Sequence, residues 1–323
     1  MPPQRQVLAR QARADRRADR LHLGRLSDLV ISAATRTRYA AAFLQFEAYV
    51  VEAHGYFASD PDFLDDQLAE FIECLWQEGD PRSHAANAYA GTKYFLKILR
   101  KHLWGSKSLL DAWGRHELPS RALPFTVETL FAYCGVLIQW RHADCALALL
   151  VGFHGIMRSG ELMNLTRGHM SFEDNGNILV SLPSTKTSKR TGARELISLT
   201  DSTVVRLLRR WADGKSPGDR LVTIPDHSFR NMFNRVSSVL KLDSFNYKLY
   251  SVRRGGATHH FKLHGRLDAT MLRMRVASQR TCRIYLDDGM AALAYARMSP
   301  AQRHDICSCA AICRQWAARF GSA

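Results

Sequence analysis

Apolar residues at helical spacing, interrupted once by two short apolar runs, constrain this chain more than any other feature. Tyr39, Phe43, Phe46 and Val50 lie four, three and four residues apart, which buries one face of a helix beginning near Thr35 and ending at Gly55. A second helix follows Asp60-Pro61 and carries Phe63, Leu64, Leu68, Phe71, Ile72 and Leu75; a third runs through Tyr89, Phe95, Leu96, Leu99 and Leu103. Short connections between them predict an all-helical bundle. Residues 130–140 and 143–153 are apolar enough to be central helices of a second unit, and helical patterns return at 202–211 and 229–240 and continue to the C-terminus. In the interruption, NILVSL and RELISL read as short strands joined by the polar PSTKTSKRTGA, a β-hairpin. The fold class expected is mainly α, in two domains, with a small antiparallel sheet.

A chain of 323 residues exceeds what one core usually supports, and the stretch GRHELPSRALPF, with two prolines and no helical period, reads as an interdomain linker. The expected boundaries are a basic arm over 1–26, a helical bundle over 27–113, a linker over 114–123 and a second domain over 124–323. Seven scattered cysteines argue against a disulfide framework and for a reducing compartment. Cys307, Cys309 and Cys313 crowd three thiols into seven residues, but only His304 stands near as a fourth ligand, so they read as packing residues and no metal is expected. There is no apolar run of membrane-spanning length, and MPPQRQVLARQARADRRADR has no apolar signal region, so the expectation is an intracellular protein without a membrane partner.

Charge narrows the class of partner. The formal net charge is +15, and residues 248–283 hold nine basic side chains against the single acid Asp268. Such a surplus favours a polyanion. Within it stands YSVRRGGAT, residues 250–258. Arginine is rarely buried unpaired and glycine weakens a helix interior by about 1 kcal/mol, so two of each in succession point to a close approach, with an anion as the natural partner.

Four features read together carry chemistry. Arg158 and Glu161 in GIMRSGELMNL are three residues apart and would share a helix face; Lys186 lies in the hairpin loop; Arg253 is third after Tyr250; and Tyr285 ends SQRTCRIY, thirty-two residues after Arg253. In this order and spacing they resemble the tyrosine recombinase (phage integrase) family over about residues 124–286, and RRGGATHHF followed by RTCRIY is similar to the recombinases of crypton-like mobile elements. The resemblance implies an integrase-like catalytic domain preceded by a helical core-binding domain. Arg158 and Arg253 would grip a DNA phosphate bidentately. Tyr285 would attack it to leave a 3′-phosphotyrosine and a free 5′-hydroxyl, with Lys186 as general acid. Such transfer rests on positioning and charge, so no metal or nucleotide cofactor is implied.

Two positions depart from the family pattern. Tyr250 stands where histidine or lysine is usual, and a phenol is a poor base at neutral pH. Val276, nine residues before Tyr285, replaces a histidine or tryptophan donor, a loss worth on the order of 10² to 10³ in rate, although the neighbouring Arg275 could supply charge. The resemblance further implies two domains closing on double-stranded DNA and a homotetramer on two duplexes, exchanging strands through a Holliday junction. Candidate DNA contacts are Arg36, Arg38, Lys189, Arg190, Arg194, Arg254, Arg280 and Arg283. Location would be the nucleus in a eukaryote and the cytoplasm in a prokaryote. Two alternatives stay open: a DNA-binding relative with weakened or lost catalysis, and a type IB topoisomerase.

Overall fold

The computed structural model describes residues 13–18, 20–21, 23, 25–57, 60–117, 121–182 and 195–319. Its contacts divide the chain into two compact units, Met1–Ser120 and Arg121–Ala323.

The first unit is helical. α1 (Ala33–His54) starts where the Ser32 hydroxyl accepts from the Thr35 amide and stops at Gly55, whose φ of 78° is left-handed. α2 (Pro61–Gln77) has Pro61 in its first turn and Asp60 as its cap, accepting from Phe63 N at 2.8 Å. The third apolar run does not form one helix: α3 (Arg82–Phe95) ends at Leu96, whose φ and ψ of −104° and 80° leave the helical region, and a 3-10 turn at Lys97–Lys101 leads into α4 (Trp104–His116). Helix therefore continues through residues 114–116, which the sequence assigned to the linker. Phe46, Val50, Leu64, Leu68, Ile72 and Leu99 form the core. Asp65 is buried there and accepts from the amides of Gly105 (2.8 Å) and Ser106 (2.9 Å), so a carboxylate on α2 satisfies the free N–H groups that open α4.

The second unit is built around α5 (Val127–Gln139) and α6 (Ala143–His154); every residue of α6 from Cys145 to Phe153 is buried. Beyond the short α7 (Ser159–Met163) the chain forms a three-stranded antiparallel sheet, β1 (Met170–Phe172), β2 (Ile178–Leu182) and β3 (Glu195–Leu199), in that order. Met170 pairs with Val180, and Val180 with Ile197. The sequence shows the second and third strands but not the first, which has only three residues. The loop between β2 and β3 lies outside the described residues. α8 (Ser202–Ala212), α9 (Asp226–Val239), α10 (Leu249–His264), α11 (Leu267–Met274), α12 (Gln279–Tyr285), α13 (Asp288–Arg297) and α14 (Pro300–Arg319) follow.

α14 packs along α5 within the unit, so close that a side chain on Gly135 would overlap the Cys309 carbonyl. This contact explains the crowded cysteines. Cys313 is buried beside Cys134, Cys309 is half-buried and Cys307 is exposed, so the three thiols do not converge.

Candidate active site

α10 crosses the unit with residues 251–258 buried, and its paired glycines are explained by protein backbone: a Cβ on Gly255 would overlap the carbonyl of Phe125, and one on Gly256 that of Phe153. The close approach expected from the sequence is real, but what approaches is the chain itself. Held this tightly, α10 fixes Tyr250, Arg253, Arg254 and Thr258.

Arg253 is 1% exposed, and among the described residues its hydrogen bonds go to two backbone carbonyls. Nη1 donates to Ile156 O at 2.5 Å and Nη2 to Met274 O at 2.6 Å, while Nε has no hydrogen-bond partner among the described residues. Burial, then the neighbouring Arg158, push its pKa below the ordinary arginine value. A buried guanidinium without a counter-ion of its own is suited to receive an anion. The Ile156 carbonyl comes from a left-handed turn (φ 48°), an outlier for a β-branched residue.

Arg158 is the N-cap of α7 with extended backbone, rather than a helical residue sharing a face with Glu161. Its amide donates to Glu161 Oε2 at 2.8 Å and its Nη1 to Oε1 at 2.5 Å, with Glu195 Oε2 3.6 Å away. Its side chain is 30% exposed, against 7% for Glu161.

Tyr285 ends α12. Its ring lies under the Arg253 guanidinium, Cζ 5.5 Å from the centroid, and the Tyr250 hydroxyl donates to the Tyr285 hydroxyl in a short hydrogen bond. Burial, followed by that bond, raises the Tyr250 pKa well above the usual tyrosine value, so it stays a protonated donor at neutral pH. The Tyr285 backbone is tied to α10 as well, its carbonyl accepting from Thr258 Oγ1 at 3.2 Å. The structure thus brings Arg158, Glu161, Tyr250, Arg253, Arg275 and Tyr285 to one place.

No protein-family model and no curated protein matches the sequence. Solved structures do. The chain resembles the Tn1549 transposon integrase in complex with transposon right end DNA, at 13% identity over 86% of this chain and 96% of that one, with a TM-score of 0.60. It resembles the XerH site-specific recombinase bound to palindromic difH substrate at 17% identity, over 80% and 78% of the two chains, with a TM-score of 0.59. A lambda integrase dimer bound to a core site gives 12% identity, 82% and 74% coverage and a TM-score of 0.58. The chain has the tyrosine recombinase fold.

Within that recombinase fold the remaining candidates divide. Lys186, Lys189, Arg190 and Arg194 lie outside the described residues. Arg280 and Arg283 are exposed on α12 beside Tyr285. In the first unit Arg38 is exposed and Arg36 is held by Asp28, donating to its carbonyl at 2.6 Å. Arg254 is 3% exposed and donates to Ala122 O, to Ile284 O (3.0 Å) and to Asp287 Oδ2 (3.4 Å), so it braces the backbone around Tyr285 rather than lying at the surface.

Val276 packs against the small cluster of Ile156, Ala257, Met274 and Cys282 and offers no donor. The Arg275 guanidinium turns instead to Glu161, at 2.6 Å, and Glu195, at 3.3 Å. Glu195 and Thr258 carry no sequence signal that singles them out. Glu195 is simply the polar start of a strand, and Thr258 is one of many threonines.

Proposed function

We propose that this protein is a site-specific DNA recombinase of the mobile-element type, which cuts and rejoins double-stranded DNA through a phosphotyrosine. One observation carries the reading: guanidiniums from α10 and from the start of α7 converge beside a phenol whose oxygen already accepts a hydrogen bond. Arg158 and Arg253 bind the non-bridging oxygens of the scissile phosphate, where two planar donors offset charge better than lysines would. The Tyr285 oxygen attacks phosphorus, the bond to the 5′ oxygen breaks, and Lys186 protonates that oxygen as it leaves. Tyr250, kept protonated, orients the Tyr285 oxygen and stabilises negative charge on it as its proton departs to solvent. The phosphodiester energy is retained in the covalent link, so a 5′-hydroxyl from a partner duplex reverses the step.

Nucleophile and both arginines come from one unit, which supports cleavage by the protomer that binds the phosphate. Four protomers on two duplexes complete the exchange. The packing of Val276 among apolar side chains favours a slower variant of this chemistry. The test is incubation with a nicked suicide duplex carrying sequence from beside the gene. A protein–DNA adduct stable to detergent is expected from the wild type and absent from Tyr285→Phe. Supercoil relaxation without strand exchange would support a topoisomerase, and DNA binding without adduct a non-catalytic relative.

A further inference from the structure

Arg275 closes α11 in a left-handed conformation, φ 57°, which L residues other than glycine, asparagine and aspartate rarely adopt. Strain of this kind persists where the surroundings enforce it. The turn it creates offers two carbonyls in succession: Met274 O accepts from Arg253 Nη2 at 2.6 Å, and Arg275 O accepts from Arg158 Nη2 at 3.4 Å. The Arg275 side chain is 7% exposed and meets both carboxylates of the site, Glu161 Oε2 at 2.6 Å and Glu195 Oε2 at 3.3 Å. These same carboxylates also reach Arg158.

Charge decides what this accomplishes. Among the described residues the cluster holds three guanidiniums (Arg158, Arg253, Arg275) and two carboxylates (Glu161, Glu195), a surplus of one positive charge. Without Arg275 the count is neutral, and both carboxylates fall to the arginines that must bind phosphate. Burial pushes the Arg275 pKa down to about 10, with Glu161 opposing the shift, and the group still carries its charge at neutral pH. We propose that Arg275 is a positioning residue: it neutralises Glu161 and Glu195 so that Arg158 and Arg253 keep a net positive field for a phosphate, while its turn fixes both guanidiniums by their backbone acceptors. The inference rests on the recombinase reading for its DNA substrate, but its electrostatic content concerns any phosphate.

Two measurements test it. In the first, the wild type selects a core site from a randomised nicked-duplex library by covalent capture, and single-turnover adduct formation is followed at saturating duplex. Arg275→Ala is expected to slow adduct formation by about 10²- to 10³-fold with duplex affinity within about threefold, and Arg275→Lys to stay within about tenfold of wild type. Arg275→Ala/Glu195→Gln, which restores the positive surplus, is expected to recover at least about tenfold over Arg275→Ala, a rescue that a purely structural role would not give. An Arg275→Ala rate within threefold of wild type, or a double variant no faster than Arg275→Ala, overturns the proposal.

The second measurement needs no DNA and no variant of Arg275. Binding of inorganic phosphate is followed by phosphorus NMR line broadening. Glu195→Gln, which adds to the surplus, is expected to tighten binding several-fold, with Arg253→Ala as the control that removes the site. Unchanged binding in Glu195→Gln overturns the charge argument. Failure of the wild type to capture any duplex sinks the recombinase reading alone, because the phosphate measurement still decides the role of Arg275.

Discussion

Tyr250 occupies a position where a base or a strong donor is expected, and its geometry makes it a donor. Removing that single hydroxyl in Tyr250→Phe is predicted to lower adduct formation by on the order of 10², with duplex affinity unchanged, measured by single-turnover cleavage beside gel shift. Val276→His should act in the opposite direction by restoring a donor near the phosphate. Because Val276 packs against Ile156, Ala257, Met274 and Cys282, the larger ring is also expected to cost about 1–3 kcal/mol of stability, seen as a lower Tm in the same preparation. Arg158, Arg253 and Tyr285 were legible as candidates because their types, order and spacing resemble those of the tyrosine recombinase family. Glu195 and the inward turn of Arg275 were not, since both depend on which strand end faces which turn. The burial of Arg254 has the same origin: adjacent arginines on a helix point about 100° apart, so one faces the site and its neighbour the bracing turn.

At the scale of elements, α10 is the part most exposed to change. Alanine at Gly255 or Gly256 would place a methyl group against the backbone of Phe125 or Phe153, a clash that rotamer changes cannot relieve. Each substitution is predicted to destabilise by about 1–3 kcal/mol or more, measured by denaturant unfolding, and Gly256→Ala should also reduce cleavage through displacement of Arg253. The C-terminal half of α10 carries a pH dependence. Burial, with His264, Arg273 and His259 adding repulsion, lowers the His260 pKa to about 4, and burial lowers His259 and His154 too. A depressed histidine pKa gives stability that is complete above the unfolded value of about 6.5 and lost as pH falls through the folded value. Thermal stability should therefore decline between about pH 6.5 and pH 4, and His260→Gln should flatten the decline. Helical faces were readable because their period is local. The first strand was not, because three residues carry no period, and neither was the break at Leu96, because no proline or glycine marks it.

For the whole molecule, net charge and the tyrosine core make separate predictions. With a formal charge of +15, DNA affinity should fall by about 10³- to 10⁵-fold between 50 and 200 mM salt if six to ten phosphates are contacted, measured as a log–log slope by fluorescence anisotropy. On the alkaline side, burial raises the Tyr247 pKa to about 12, and it raises that of Tyr133 as well. A raised tyrosine pKa gives stability that is present below the unfolded value near 10 and lost as pH climbs through the folded value, so the urea midpoint should drop between about pH 10 and pH 12. Composition made two folded units readable, whereas the anchoring of Tyr285 depends on distant residues meeting. Thr258 and Arg254 lace the backbone on both sides of that tyrosine to α10. A nucleophile moored in this way does not have to swing into place, so in the proposed reaction the timing of each cut passes to the arrival and bending of the duplex.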